Sequence, residues 1–152
     1  MKEFKDMEGL KQSLNHNDVV SPKLKNRFAV SFNTKTGENL SAFANQVKSV
    51  SDINVLFLAE SSKNGSFKLE INDDEENSAL AGIIALSKDL FDMNVFIFNA
   101  KDEVIETRTF VNCLFQKMKF SDLDYVGSVL PDLCNATHIL EIQFADLNIR
   151  LH

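Results

Sequence analysis

The sequence predicts a mostly β fold, an antiparallel β-sandwich or small β-barrel with one flanking α-helix and a polar N-terminal arm. Three observations lead to this prediction. The chain has 152 residues, the usual size of one domain. Its apolar residues recur mainly at every second position, the period of half-buried strands, and about seven or eight such segments can be counted. One segment near the middle of the chain has the three-to-four-residue period of a helix instead.

Residues 1–22 are predicted to form the arm and residues 23–152 the β domain. The arm is polar, and Ser21 followed by Pro22 separates it from the first strand. Because its few apolar residues have no neighbouring pattern to pack on, we expect them to order against a partner or to remain frayed. These residues are Phe4, Met7, Leu10 and Leu14.

The first part of the domain is predicted to contain strands separated by turns. Residues 27–32 alternate between apolar and other side chains, which predicts a half-buried strand. A turn is expected at 35–38, a weaker strand at 40–50 and an apolar strand at 54–60.

Asn64 followed by Gly65 predicts a tight hairpin turn. Residues 66–72 then alternate between polar and apolar side chains, which predicts the next strand.

A helix is predicted after this strand and is expected to end near Asp89. Asn72 or Asp73 can cap its first turn, and Glu75 or Glu76 can complete a capping box. The apolar stripe of this helix should cover a sheet face or a seam between subunits. The stripe consists of Leu80, Ile83, Ile84, Leu86 and Leu90.

The remaining chain is predicted to form a hairpin, a loop and a last strand. Residues 93–99 and 103–119 are the hairpin strands, with the tip at 100–102. Residues 120–136 are expected to be an ordered loop, because they include apolar side chains that can be buried. Residues 137–151 are the last strand.

The last strand changes phase partway along its length. Leu140, Ile142 and Phe144 share one face, but from Ala145 onward the apolar residues occupy the odd-numbered positions. A shift of one residue in a period-two pattern indicates a bulge or a strand that passes between two buried environments.

The composition limits the classes of partner. The formal net charge is −6 and the pI is about 5.0, so the surface should repel phosphate and disfavour nucleic-acid binding. No apolar run approaches the ~20 residues that span a bilayer, so no membrane anchor is expected. Without a secretory signal the chain is expected in a cytoplasm, where Cys113 and Cys134 would be reduced and structural.

No catalytic, cofactor-binding or metal-binding motif is present, so we predict no enzyme activity, no cofactor and no metal site. His16, His138 and His152 lack partners at metal-ligand spacing. The acidic run at 73–76 is explained by a helix N-terminus. The acids within 122–124 have no basic or nucleophilic partner nearby.

The order of these segments resembles the tail tube protein of contractile-tailed bacteriophages. The strand Phe67–Asn72 runs directly into an acidic helix start, and the apolar strand Val95–Phe98 follows the helix. Asn112–Tyr125 and the terminal His138–Leu151 complete the succession, and Arg27–Phe32 behind a polar arm also suits the family.

The resemblance implies a subunit that forms hexameric rings with itself, stacked into a hollow tube inside the virion and assembled in the host cytoplasm. Sheets would join across subunits to line the channel through which the genome passes. The implied partners are sheath, baseplate hub and tape-measure proteins. DNA would pass without specific binding.

Candidate residues for these roles follow from the pattern and the resemblance together. Glu70, Glu106 and Glu141 alternate with buried positions and are candidates for acids that face the channel and keep DNA from adhering. Candidate contacts between subunits include the four apolar arm residues. The other candidates are Leu123, Tyr125, Leu147, Ile149 and Leu151.

Other functions remain open at this point. A tube-initiating baseplate protein or the ring protein of type VI secretion would share the fold. A monomeric β-barrel that binds a ligand would need a polar cavity, whereas the alternating Phe, Leu and Ile positions predict a filled interior.

Overall fold

The computed structural model describes residues 27–57, 63–74, 76–120 and 136–152 of the chain. The strands within these ranges are β1 (Phe28–Thr34), β2 (Val47–Phe57), β3 (Lys63–Asn72), β4 (Phe91–Phe98), β5 (Val104–Phe120), β6 (Thr137–Phe144) and β7 (Asp146–Leu151). The helices are α1 (Ser41–Ala44) and α2 (Ser78–Leu86). The structure therefore confirms the predicted fold class, mostly antiparallel β with a flanking helix, and adds the short α1.

The strands form two antiparallel sheets that share β5. Sheet A has the order β1–β4–β5–β7, and sheet B has the order β5–β6–β3–β2. Within the described residues β1 and β2, at the two ends of the strand path, do not pair with each other, so the sheet is not closed. The architecture is thus an open, sandwich-like arrangement.

Strand β5 is long enough to belong to both sheets because it has 17 residues. Its first half pairs with β4 and β7, and its second half pairs with β6. Strands β6 and β7 follow one side of β5 and are separated by Ala145, whose N–H donates to the carbonyl of Val111 at 3.0 Å. The change of phase in the last strand predicts a bulge or a passage between two buried environments, and the structure confirms it. The terminal segment passes from sheet B into sheet A at this irregularity.

Aromatic side chains fill the space between the sheets. The rings of Phe67 on β3 and Phe110 on β5 lie 4.7 Å apart between centroids, and Phe144 on β6 lies 5.0 Å from Phe110. Nearer the helices, Phe43 of α1 packs on Phe32 of β1 with centroids 5.1 Å apart. Six phenylalanines of the described residues are buried in this dry core, and two others are exposed on strand edges. The buried ones are Phe32, Phe43, Phe67, Phe91, Phe110 and Phe144, and the exposed ones are Phe57 and Phe120.

Helix α2 begins later than predicted. Asn72 still belongs to β3, and the N–H of Asp73 donates to the carbonyl of Ala136, so neither residue caps the helix. Instead the Asp74 carboxylate accepts hydrogen bonds from the N–H and the hydroxyl of Ser78, at 2.7 and 2.6 Å. The Ser78 hydroxyl and the neighbouring backbone N–H groups lower the pKa of Asp74 below its usual value.

The region before β3 also differs from the prediction. The weak strand predicted at 40–50 is the helix α1 followed by the start of β2. Residues 54–57 of the strand predicted at 54–60 belong to the same β2, which continues past an irregularity where Asp52 has a φ of 50° and the register shifts, and residues 58–60 lie outside the described residues. Burial of Phe43 favours a helix over a strand here, because α1 places the ring of Phe43 in the core.

The predicted turn at Asn64 and Gly65 is wrong. Both residues lie inside β3, where they pair with Leu56 and Val55 of β2. A Cβ on Gly65 would lie 1.7 Å from the carbonyl oxygen of Asn54, so glycine is needed here for a close backbone approach.

Two other predicted turns are confirmed. The N–H of Gly37 donates to the carbonyl of Thr34, with Gly37 at a φ of 69°. The N–H of Asp102 donates to the carbonyl of Asn99 at the tip between β4 and β5.

The arm and most of the loop at 120–136 lie outside the described residues, so the domain boundary stays a prediction. None of the described helices has the length and apolar composition needed to cross a membrane.

Candidate assembly surface

The outermost strand segments of both sheets pair on one side only within the described part of the chain. In sheet B these are β2 and the second half of β5, and in sheet A they are β1 and β7. Such edges present rows of N–H and C=O groups that can pair with another strand.

Three of these edges also carry exposed large apolar side chains. Phe57 is 77% exposed on β2, and Leu151 is 72% exposed on β7. Strand β1 carries none, since its large apolar residues are buried or half-buried. Apolar side chains on unpaired edges favour association with another chain. The exposed apolar residues on edges are Ile53, Leu56 and Phe57 of β2, Leu114 and Phe120 of β5, and Ile149 and Leu151 of β7.

The two edges of sheet B run in opposite directions. Each neighbouring pair in the order β5–β6–β3–β2 is antiparallel, so with four strands β5 and β2 must be antiparallel to each other. A second copy in the same orientation can therefore place its β2 beside the β5 of the first copy and continue the antiparallel sheet. A head-to-tail contact of this kind forms a ring when the rotation closes.

The outer face of sheet B carries mixed charge. Glu70 and Glu141 lie on this face, because they alternate with buried residues on β3 and β6. Lys68 is in register with Glu141, and Lys119 is in register with Ile139 beside Glu70. Lys117 of β5 lies 3.7 Å from the Glu141 carboxylate. Asp52 of β2 lies 3.2 Å from the Lys68 ammonium group. The described strands of this face thus carry at least three carboxylates and three ammonium groups, so the charge of the face is balanced and not acidic.

Glu106 lies elsewhere. It is 2% exposed on the inner face of sheet A, in register with Ile97, and its carboxylate pairs with the Arg108 guanidinium. The prediction that Glu106 faces a channel therefore needs correction for the single chain, because the carboxylate is buried. The signal was present in the sequence: Glu106 and Arg108 share the phase of the core residue Phe110.

The structure exposes some of the predicted contacts between subunits and buries another. Ile149 and Leu151 are exposed on the open edge of β7, whereas Leu147 is 4% exposed and belongs to the core beside Phe110. Leu147 is thus unavailable for an external contact in the single chain. The remaining predicted contacts fall outside the described residues: Phe4, Met7, Leu10, Leu14, Leu123 and Tyr125.

Sequence reasoning missed the apolar residues on the edges of sheet B. The sequence places Leu114 in a predicted strand, Phe120 at the start of a predicted loop and Leu56 in an apolar strand, and it marks none of them as an edge residue. Their exposure depends on strand order, which local patterns do not contain.

The described residues offer little that resembles an active site. Within them, no group of three or more His, Cys, Asp or Glu side chains is placed to hold a metal ion. His138 is buried, with Nε2 3.3 Å from the Asp73 carboxylate. Burial, and next the nearby Asp92 carboxylate, raise the pKa of the Cys113 thiol to about 12, which makes it a poor nucleophile at neutral pH.

No protein-family model matches the sequence, and no curated protein matches it either. Solved structures do resemble it. A chain from the sheath–tube complex of an extracellular contractile injection system, PVC, in the extended state, matches with a TM-score of 0.61 at 14% identity, covering 91% of this chain and 97% of that chain. A chain from the baseplate of the anti-feeding prophage matches with a TM-score of 0.57 at 18% identity, covering 86% and 97%. Hcp1 from Flavobacterium johnsoniae matches with a TM-score of 0.50 at 13% identity, covering 83% and 96%.

At these identities the matches establish the fold. The chain has a fold found in contractile injection systems and in Hcp1, and the resemblance to a tail tube protein is confirmed at that level.

Proposed function

We propose that this chain is a non-catalytic subunit of the inner tube of a contractile tail, assembling into hexameric rings that stack into a hollow tube. Two antiparallel open edges on sheet B, both carrying exposed apolar side chains, are the observation that carries the proposal. Joining these edges head to tail satisfies the unpaired backbone groups and buries the exposed apolar residues in one contact. The fold shared with contractile injection systems supports the same conclusion.

In a phage tail this tube would conduct the genome. If sheet B faces the channel, its nearly balanced charges would give DNA phosphates no strong net attraction. Glu70, Glu141 and Asp52 would then face the lumen, with Lys68, Lys117 and Lys119 offsetting their charge. The sheath, baseplate hub and tape-measure proteins would contact other parts of the ring.

The first test is the assembly state of the purified protein. Negative-stain images and sedimentation velocity should reveal rings or hollow rods of uniform width. One ring that never stacks would indicate a baseplate initiator or a type VI secretion ring protein. A monomer that persists at high concentration would contradict the proposal and favour a monomeric binding protein.

The second test locates the ring contact. Leu56→Lys and Leu114→Lys each place an ammonium group at an edge of sheet B, and losing about 2 kcal/mol of apolar burial per contact weakens each contact roughly 30-fold. Ile84→Lys is the matched control, because Ile84 on α2 is 60% exposed and Leu56 on β2 is 62% exposed. Rings should be lost in the edge variants and kept in the control. Equal ring formation in all three would show that sheet B is not the contact.

A further inference from the structure

Strand β7 is an open edge that the proposed ring leaves unused. It belongs to sheet A and, within the described residues, pairs only with β5. Ile149 and Leu151 on this strand are 53% and 72% exposed. The opposite edge of sheet A, β1, presents no large exposed apolar side chain. Of the two edges of sheet A, β7 is therefore the one that presents exposed apolar side chains to an added strand.

The backbone of β7 is oriented for such an addition. The N–H of His152 donates to the carbonyl of Ile105 at 3.1 Å, which fixes the alternation of hydrogen bonds along the β5–β7 pair. In an antiparallel ladder every second residue bonds to the partner strand, and the residues between point their N–H and C=O groups away. The N–H and C=O groups of Ile149 and Leu151 are therefore directed to the open edge.

The side chains of β7 define the chemistry of the incoming strand. Ile149 and Leu151 lie on the inner side of sheet A, in register with Arg108 and Glu106, respectively. The Arg108 guanidinium and the Glu106 carboxylate form an ion pair with each other. Apolar residues on an added strand would pack beside Ile149 and Leu151, because directly opposed apolar pairs stabilise a sheet.

Arg150 gives the outer side of β7 a positive charge. It is exposed, its register partner on β5 is the uncharged Thr107, and it forms no ion pair within the described part of the chain. An acidic residue between two apolar ones on the added strand would lie opposite Arg150. The positive charge of Arg150 also disfavours binding of another basic strand at this edge.

We propose that β7 binds an extended segment of a different protein by strand addition, and that this segment carries apolar residues at alternate positions with an acidic residue between them. Main-chain hydrogen bonds to Ile149 and Leu151 would provide affinity, and Arg150 would select the acidic residue. Because the ring would use only the edges of sheet B, this site does not depend on the proposed function.

The test uses the full chain and capped seven-residue peptides with valine at alternate positions. The first peptide has glutamate between its central valines, the second has lysine there, and the third is the glutamate peptide with N-methyl groups that block its backbone donors. Hydrogen exchange followed by mass spectrometry should show the slowest exchange in 146–152 with the glutamate peptide and weaker protection with the lysine peptide at the same concentration. The lysine peptide should bind roughly two- to fivefold more weakly, as expected for an exposed charge pair, and the methylated peptide at least tenfold more weakly.

Variants of β7 separate backbone from side-chain effects. Leu151→Pro removes an outward N–H while leaving the bonds to β5, so it should abolish protection, whereas Leu151→Ala should only weaken it. Arg150→Glu should reverse the preference in favour of the lysine peptide. Equal binding of all peptides, protection confined to β2 or β5, or protection of 146–152 that rises with protein concentration without peptide would overturn the proposal. The last result would identify a second copy as the occupant.

Discussion

Gly65→Ala is expected to separate β2 from β3. Gly65 lies in β3 between Val55 of β2 and Phe144 of β6. An added Cβ would lie 1.7 Å from the carbonyl oxygen and 2.8 Å from the carbonyl carbon of Asn54, and 2.9 Å from Cζ of Phe144. The ring of Phe144 can turn slightly, but the Asn54 carbonyl can move only if β2 moves with it.

The cost follows from these contacts. Overpacking a well-packed site costs about 1–3 kcal/mol, and weakening about two ladder hydrogen bonds costs about 1 kcal/mol each. Alanine also lowers the conformational entropy of the unfolded chain, which returns about 0.4–1 kcal/mol. We therefore expect the free energy of unfolding to fall by about 2–5 kcal/mol.

Gly82→Ala provides the comparison. Its Cβ would meet the ring of Phe43 at 2.1 Å, which is a side chain and not a strand backbone. The overpacking cost of about 1–3 kcal/mol is offset by about 1 kcal/mol of helix propensity, so the net loss should be about 0–2 kcal/mol.

Urea unfolding followed by far-UV circular dichroism measures both variants, since the chain has no tryptophan and one tyrosine. The protein should be dilute enough to stay unassembled, because assembly adds to apparent stability. Gly65→Ala should also impair ring formation, because β2 is a proposed ring edge. A Gly65→Ala protein as stable as the wild type, or less affected than Gly82→Ala, would refute the close-approach explanation.

Three further predictions concern single side chains. Phe110→Ala should lower the free energy of unfolding by about 3–5 kcal/mol in the same urea assay, because Phe110 is fully buried among aromatic rings; a loss below about 1 kcal/mol would contradict its central position. In a Cys134→Ser chain, the Cys113 thiol, with a pKa of about 12, should react with a thiol reagent at pH 8 only after unfolding; rapid native labelling would show that it is accessible. Asp74 has a lowered pKa when folded, so its contribution to stability is complete above the unfolded value of 3.8 and is lost as the pH falls through the folded pKa. Asp74→Asn should therefore lower stability at pH 7 and flatten its dependence on pH below about 4, and an unchanged pH profile would exclude the bond to Ser78 as the cause.

Elements with a clear local period were predictable. Strands β1, β4 and β5 follow the alternation of their apolar residues, and the hairpin tip at 99–102 follows its polar composition. The change of phase near Ala145 correctly indicated that one strand serves two buried environments. These features depend on side chains close in sequence, which is why a pattern contains them.

Elements decided by distant contacts were not predictable. Gly65 does not form the predicted turn. Glycine is needed at this position because the Asn54 backbone of the neighbouring strand lies too close for a Cβ atom. The start of α2 was displaced because β3 continues its pairing with β6 through Asn72. Phe43 lies in a helical turn and not in the predicted strand, because its ring packs against Phe32 in the core.

The sequence by itself determined a mostly β domain with one main helix, an acidic composition and an irregularity in the last strand, since each is a property of composition or local period. Only the tertiary structure decided that sheet B ends in two antiparallel open edges, that Glu106 is buried against Arg108, and that Ile149 and Leu151 face an open edge. Strand order brings these residues together or leaves them exposed, and it arises from long-range pairing that no local pattern encodes.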